Sequence, residues 1–393
     1  MYFDIAREVV AMKGNTRLKQ DNIGRVLEEI RSRAPITKRE LQDITGFSWG
    51  NVSTIVNELQ EHGYIVSVGK QETLVGRRSD QYDISPHENL IIGVDLNMNG
   101  ILLVVTSIRG QIVYRQRELY RERERQCVLD TLYEMIDKAI AAVGAACLRH
   151  IAIGLQGYVD TKNGISVRIS ALQNWINIPL VKLVEERYNI TCILIHDPDC
   201  VMRAEMNRGW LHMDSADTAL LLRLEKYEVG MSIIMNGQLR TGVHERAGEV
   251  GQVLLPYDNE IGWISVDNLL PESNMAKNYA KIFPEETERM TYDLLSDRVK
   301  NKDQKAMRFL QRWVLALGML LMNMANLFDP EQIIIYGEML QYQDVYKELL
   351  TELLRDKFYG SSVKLLFSKQ NMDAAAVGAA LWGADNWMRG LEF

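Results

Sequence analysis

Between Thr37 and Gly63 the chain reads TKRELQDITGFSWGNVSTIVNELQEHG, and Ser48, Trp49, Asn51, Ser53 and Thr54 cluster at the start of its second helical repeat. These side chains hydrogen-bond or stack rather than titrate. Asn pairs bidentately with the edge of an adenine, and Ser or Thr accepts several bases. At the N-terminus of the second helix of a helix-turn-helix such residues face base edges in the major groove. Lys38 and Arg39 begin the preceding helix, where their charge opposes the helix dipole and is better placed near a phosphate. Arg77 and Arg78 offer two further cations of that kind. The chemistry written here is recognition of a polyanion and of base edges.

The elements that position these residues are also legible. Thr37 with Glu40 forms a capping box, so a helix starts there, with Leu41 and Ile44 inward and Gly46 as its break. Ser48 is the N-cap of a second helix carrying Val52, Ile55, Val56 and Leu59 on one stripe, and His62-Gly63 stops it. Ile23, Val26, Leu27 and Ile30 form an earlier stripe that ends before Pro35. Runs at 64–68 and 77–84, around a turn-rich loop, read as two short strands, which makes the module a winged variant. Arg7, Lys13, Arg17 and Lys19 form either an arm on phosphates or a solvated tail. The competing reading is a small helical dimerisation or peptide-docking module, since this shape is not unique to DNA binders.

The 393-residue chain is too long for one ordinary core. Its net charge is −7, yet residues 1–85 balance twelve Lys/Arg against twelve Asp/Glu, so the excess acid lies in the remainder. That excludes a nonspecific polyanion binder but not a neutral head with its cations on one face. Cys127, Cys147, Cys192 and Cys200 are scattered without a C-x-x-C pair and read as free thiols rather than disulfides or zinc ligands. No N-terminal stretch resembles a signal peptide, and the apolar run Trp313–Met322 is too short for a bilayer. The expectation is a soluble, cytoplasmic protein without membrane partners.

From Leu90 the texture changes to strands at 90–96, 101–108 and 111–119, then a helix at 125–143 and a strand at 150–154. The order recurs at 218–225, 229–237 and 238–242, with helices at 303–327, 344–357 and 374–387 and strands at 332–337 and 362–367. A β-β-β-α-β-α unit occurring twice is the arrangement of the actin-like, sugar-kinase fold. The division expected is a winged helix-turn-helix over residues 1–86 and a two-lobed α/β body over 87–393.

With GVDLNMNG (93–100), IGLQGYVD (153–160), SALQNWINIPL (170–180), HDPDCVMRAEMNRG (196–209), NGQLRTGVHERAGEVGQ (236–252), DPEQIIIYGE (329–338) and AAAVGAAL (374–381) in order, the chain resembles the ROK family of repressors, open reading frames and kinases. The likeness is to its xylose- and N-acetylglucosamine-repressor members. By motif position it implies that Asn174, His196, Asp197, Glu249 and Gln252 bind sugar hydroxyls, carboxylates suiting that task because each accepts several O–H donors.

Departures from the kinase pattern argue against catalysis. Where family kinases carry D-x-G-x-T, this chain has Asp95-Leu96-Asn97-Met98-Asn99, and the second phosphate loop reads Leu224-Glu225-Lys226-Tyr227-Glu228-Val229-Gly230. Bulk and negative charge there disfavour a nucleotide triphosphate. Asp197 occupies the position of the general base, which cannot transfer phosphoryl groups without a donor. Gln252 replaces the family's zinc-ligand His and the cysteine-rich partner motif is absent, so neither metal nor other cofactor is expected. The implied protein is a non-enzymatic regulator, most simply a repressor of carbohydrate-utilisation genes, with operator DNA, a sugar effector and a second copy (homodimer or homotetramer) as partners. Rival readings are an active sugar kinase with an appended head and a regulator controlled by a protein. The sugar pocket itself is either altered in specificity or vestigial.

Several residues carry blander readings. His244 is a solvated loop histidine rather than a ligand, Trp175 either stacks on a sugar or packs in the core, Arg121–Arg125 is a solvated helix start, and Met319, Met322 and Met324 are packing residues.

Overall fold

The computed structural model describes residues 19–71, 79–207, 218–256, 262–286, 288–355 and 363–391. A helix over 19–33, α1, buries Ile23, Val26, Leu27 and Ile30 completely. Each such side chain contributes roughly 1.5–3 kcal/mol when removed from water. There follow β1 (Ile36–Thr37), α2 (Lys38–Thr45), α3 (Trp49–Glu61), β2 (Ile65–Gln71) and β3 (Ser79–Ile84). Thr37 Oγ1 accepts the Glu40 N–H at 3.2 Å, and the Glu40 carboxylate accepts the Thr37 N–H at 2.8 Å, which completes the capping box. Gly46 ends α2 at φ +71°, and Ser48 caps α3 by accepting the Asn51 N–H at 3.3 Å. Val52, Ile55, Val56 and Leu59 are buried along α3. The wing strands pair antiparallel as expected, and the two-residue β1 adds a third strand on the other side of β3. Arg77 and Arg78, and the segment with Arg7, Lys13 and Arg17, lie outside the described residues.

The first large sheet is built from β4 (Leu90–Leu96), β5 (Gly100–Thr106), β6 (Ile112–Leu119), then α4 (Arg125–Val143) and β7 (Leu148–Leu155). A small antiparallel sheet of β8 (Tyr158–Asp160), β9 (Ile165–Arg168) and β10 (Ile176–Ile178) precedes α5 (Leu180–Tyr188), β11 (Cys192–His196) and α6 (Asp197–Asn207). Strand order is β11-β7-β4-β5-β6. Continuous apolar burial along β4 and β5 fits strands covered on both faces.

The second large sheet repeats the pattern with β12 (Thr218–Leu224), β13 (Val229–Met235) and β14 (Gln238–Leu239). A hairpin of β15 (Leu254–Pro256) and β16 (Trp263–Ser265) leads into α7 (Val266–Leu269), α8 (Glu272–Ile282), α9 (Tyr292–Lys300) and the long α10 (Gln304–Phe328). β17 (Gln332–Tyr336), α11 (Gln343–Leu354) and β18 (Lys364–Phe367) complete the order β14-β13-β12-β17-β18. In both sheets an antiparallel meander is extended by two parallel strands beside its first strand. The duplicated order is that of the actin-like fold. Met324 is buried on α10, with Met319 and Met322 packed against the same apolar cluster.

The chain divides into two compact units, Met1–Cys200 with Ala375–Phe393, and Val201–Ala374. Within the first, α12 (Ala374–Arg389) lies so close to its neighbours that two glycines are required. A Cβ on Gly378 would approach the Cys200 carbonyl oxygen to 1.7 Å, and one on Gly93 would approach the Ala376 carbonyl oxygen to 2.1 Å. Ala380 and Ala384 of α12 share one apolar cluster with the head residues Ile23, Leu27, Ile30 and Leu59, with Ile91 of β4 and with Ile108 in the turn after β5. Trp387 packs on Tyr64 with ring centroids 5.6 Å apart. Head, first sheet and α12 therefore form one packed body.

Candidate nucleic-acid interface and ligand-binding segments

The capped start of α3 presents the expected recognition residues on little more than one turn and a half of helix. Ser48 and Thr54 are exposed, and Trp49 is 53% exposed at the first helical position, although a large aromatic is normally withdrawn from water. Asn51 and Ser53 are half-buried beside them. The Thr54 hydroxyl donates to the Gly50 carbonyl at 2.9 Å, which leaves its oxygen to accept.

The two cations of α2 differ. Lys38 Nζ donates to Asn57 Oδ1 at 2.7 Å and lies 5.6 Å from the Tyr82 ring centroid, so it braces α2 against α3 and the wing. Burial lowers its pKa, with the Asp80 charge opposing. Arg39 is exposed and forms no ion pair among the described residues, as a phosphate-contacting side chain requires.

In the body, the two turns matched to phosphate loops have several of their amides occupied. The Met98 N–H donates to Gln156 Oε1 at 2.7 Å, and the Asn99 N–H donates to Asn97 Oδ1 at 2.9 Å. Arg123 closes over the same turn by donating to Asn99 Oδ1 at 2.8 Å. In the second turn the Glu225 N–H donates to the Glu228 carbonyl at 3.1 Å and the Val229 N–H to Asp267 Oδ1 at 2.8 Å. An anion cradle needs unsatisfied amides converging on one point, and these amides are already spent on side-chain and backbone oxygens.

The residues matched to sugar binding are carried by different elements. Asn174 is exposed on a loop at φ +58°, while its neighbour Trp175 is buried and donates Nε1–H to Ser166 Oγ at 2.8 Å, which makes Trp175 a core residue. His196 ends β11 and Asp197 begins α6; Asp197 is 2% exposed, with Oδ1 3.8 Å from His196 Nε2. These three lie in the first unit. Glu249 and Gln252 lie in the second, flanking the buried Gly251. Burial, reinforced by the Asp267 charge and opposed by Arg246, raises the Glu249 pKa. Gln252 Nε2 donates to Asp267 Oδ2 at 3.0 Å. Burial raises the Asp267 pKa too, with the Val229 N–H and Gln252 opposing. His244 is exposed in the preceding loop. Among the described residues no group of His, Cys, Asp or Glu side chains is placed to hold a metal ion.

Two residues absent from the sequence expectation emerge here, Gln156 and Asp267. Gln156 had no signal beyond lying two residues before Tyr158 in IGLQGYVD. Asp267 had none either; the structure explains its position, because β15 and β16 pair Leu254 with Ser265 and Leu255 with Ile264, and the same antiparallel register continued outward brings Gln252 opposite Asp267.

The ROK family model matches residues 91–386. The chain belongs to the ROK family. A winged helix-turn-helix DNA-binding model matches residues 20–66, the span of α1 through the start of β2. Among relatives, the ROK chain is 22% identical to the xylose repressor of Bacillus subtilis over 98% of each sequence. It is 24% identical to an N-acetylglucosamine repressor of Escherichia coli over 85% of each. Among solved structures, a ROK family transcriptional regulator, homolog of the E. coli MLC protein, superimposes with a TM-score of 0.78 at 21% identity, covering 94% of this chain and 96% of that one. A ROK glucokinase from Streptomyces griseus, in complex with glucose and AMPPNP, gives a TM-score of 0.62 at 21% identity and covers 76% of this chain and all of the glucokinase.

Proposed function

We propose that this ROK protein is a sugar-responsive DNA-binding repressor of carbohydrate-utilisation genes. Its winged head, residues 1–86, holds operator DNA through Lys38, Arg39, Arg77 and Arg78 on phosphates and Ser48, Trp49, Asn51, Ser53 and Thr54 at base edges. Its body, residues 87–393, binds a sugar or sugar derivative through Asn174, His196, Asp197, Glu249 and Gln252 without phosphorylating it. The observation that carries the non-enzymatic reading is the occupied turn amides: Met98 is bonded to Gln156 and Val229 to Asp267, where a nucleotide's phosphates would need them free. Similarity to repressors for xylose and N-acetylglucosamine, over 98% and 85% of each chain, supports both the DNA and the sugar halves. Effector binding shifts the population between states that match and do not match two operator half-sites, which requires two heads and hence a homodimer or homotetramer.

The test is fluorescence anisotropy on operator fragments selected from genomic DNA, with and without D-xylose, D-glucose and N-acetyl-D-glucosamine. One sugar is expected to raise the DNA dissociation constant at least tenfold. Persistent DNA binding with no response to any sugar, and no thermal shift, would favour control by a protein partner instead. The kinase reading rests on the fold shared with the glucokinase; turnover of ATP with any of the three sugars would establish it.

A further inference from the structure

Asp267 ties three pieces of the second unit together with a single carboxylate. Oδ1 accepts the Val229 N–H of the β12–β13 turn, and Oδ2 accepts Gln252 Nε2–H. A Cβ on Gly251 would stand 2.3 Å from both oxygens, so the carboxylate lies flat on the backbone between Glu249 and Gln252.

The chemistry of the pair fixes one orientation. An ionised carboxylate only accepts, so the Gln252 amide must turn its NH2 toward Asp267 and its carbonyl oxygen away. That oxygen has no hydrogen-bond partner among the described residues. Glu249, just before it in the chain, is also an acceptor. We propose that Asp267 is a positioning residue that locks the Gln252 amide with its carbonyl oxygen toward the effector, so that this edge of the site selects a sugar hydroxyl acting as a donor. The proposal rests on Gln252 facing the sugar, as in the functional reading above.

The substitution Asp267→Asn inverts the lock. The amide introduced there would still accept the Val229 N–H through its oxygen, but its NH2 would then face Gln252, which must flip and present its own NH2 to the sugar. A hydroxyl and a fluorine separate the two states, because C–F cannot donate. Full-length protein is titrated by calorimetry with D-xylose, D-glucose and N-acetyl-D-glucosamine, then with each monodeoxyfluoro analogue of whichever binds. In the wild type one analogue should bind about tenfold more weakly than its parent, the loss of one donated hydrogen bond. In Asp267→Asn that ratio should fall to about unity or reverse, while the ratios at the other hydroxyls stay unchanged. Thermal unfolding confirms that the variant is folded, and Gln252→Met, which removes the acceptor without touching Asp267, should abolish the same ratio and no other. If the wild type discriminates at a hydroxyl and both variants keep that ratio, the inference is overturned while sugar sensing stands. If the wild type binds none of the three sugars, sugar sensing and the inference fail together.

Discussion

The Arg31 guanidinium on α1 meets the Asp385 carboxylate on α12 at 2.6 Å, with the Arg31 side chain 5% exposed. A cation so withdrawn from water needs its counter-charge, and removing Asp385 leaves it only the exposed Glu28, whose Oε2 lies 3.5 Å from Arg31 Nε. Arg31 also approaches Met388 Sδ at 3.3 Å. The head is therefore fastened to the body by charge as well as by the apolar cluster.

Asp385→Ala should destabilise the first unit by about 3 kcal/mol, whereas Arg31→Met with Asp385→Leu should recover most of that loss. Urea unfolding of the three variants measures it. A loss below about 0.5 kcal/mol in Asp385→Ala would show that the pair contributes nothing.

Asn51→Ala should relax base preference at one operator position by about 1–3 kcal/mol, and Arg39→Ala should weaken all sequences alike while lowering the salt slope by about one. Arg77→Ala and Arg78→Ala should behave like Arg39→Ala. Anisotropy against matched and mismatched operators across a salt series separates the two classes. Equal losses on every sequence for Asn51→Ala would place α3 off the base edges.

Ser48 has two tasks, capping α3 and reaching DNA, and substitutions separate them. Ser48→Ala should cost about 1 kcal/mol of head stability, and Ser48→Asp should keep the cap. Loss of DNA affinity in the stable Ser48→Asp variant, where a carboxylate replaces the hydroxyl at the base edges, identifies the contact. Undiminished affinity in that variant would confine Ser48 to capping.

Glu249 and Asp267 have raised folded-state pKa values, with burial as the main cause. The native state thus holds protons more tightly than the unfolded chain. Their favourable contribution is present below the ordinary carboxylate range and is lost as pH rises through the elevated folded values. Glu249→Gln should flatten that fall above the ordinary carboxylate range, read as Tm across a pH series. An unchanged slope would mean that neighbouring groups set it.

Much of the fold is legible in the sequence, because its strands are long apolar runs. β4 over Leu90–Leu96 and α4 over Arg125–Val143 coincide with the segments expected from pattern alone. The small pieces are not legible. β1 has two residues and β8 and β10 three each, and such lengths leave no period to detect. β11, Cys192–His196, hid in a short run that carries too little periodicity to stand out. In the head, the capping box and Ser48 cap followed from spacing because both are local. Lys38 could be placed on α2, but its bond to Asn57, nineteen positions on, depended on how α2 meets α3. Gln156 reaches the Met98 amide across 58 positions, and no sequence rule links residues so far apart.

The helix that completes the head's core is encoded at the far end of the chain: Arg31 and Met388 stand 357 positions apart. A nascent polypeptide can form α1, α2 and α3 early, since their contacts are local, but it cannot seat Tyr64 on Trp387 or Arg31 on Asp385 until α12 has been synthesised. Loop closure over that span makes the step late and slow. The head, written first in the sequence, is thus among the last parts to be fully seated, and a ribosome stalled before residue 374 carries a head without its final support.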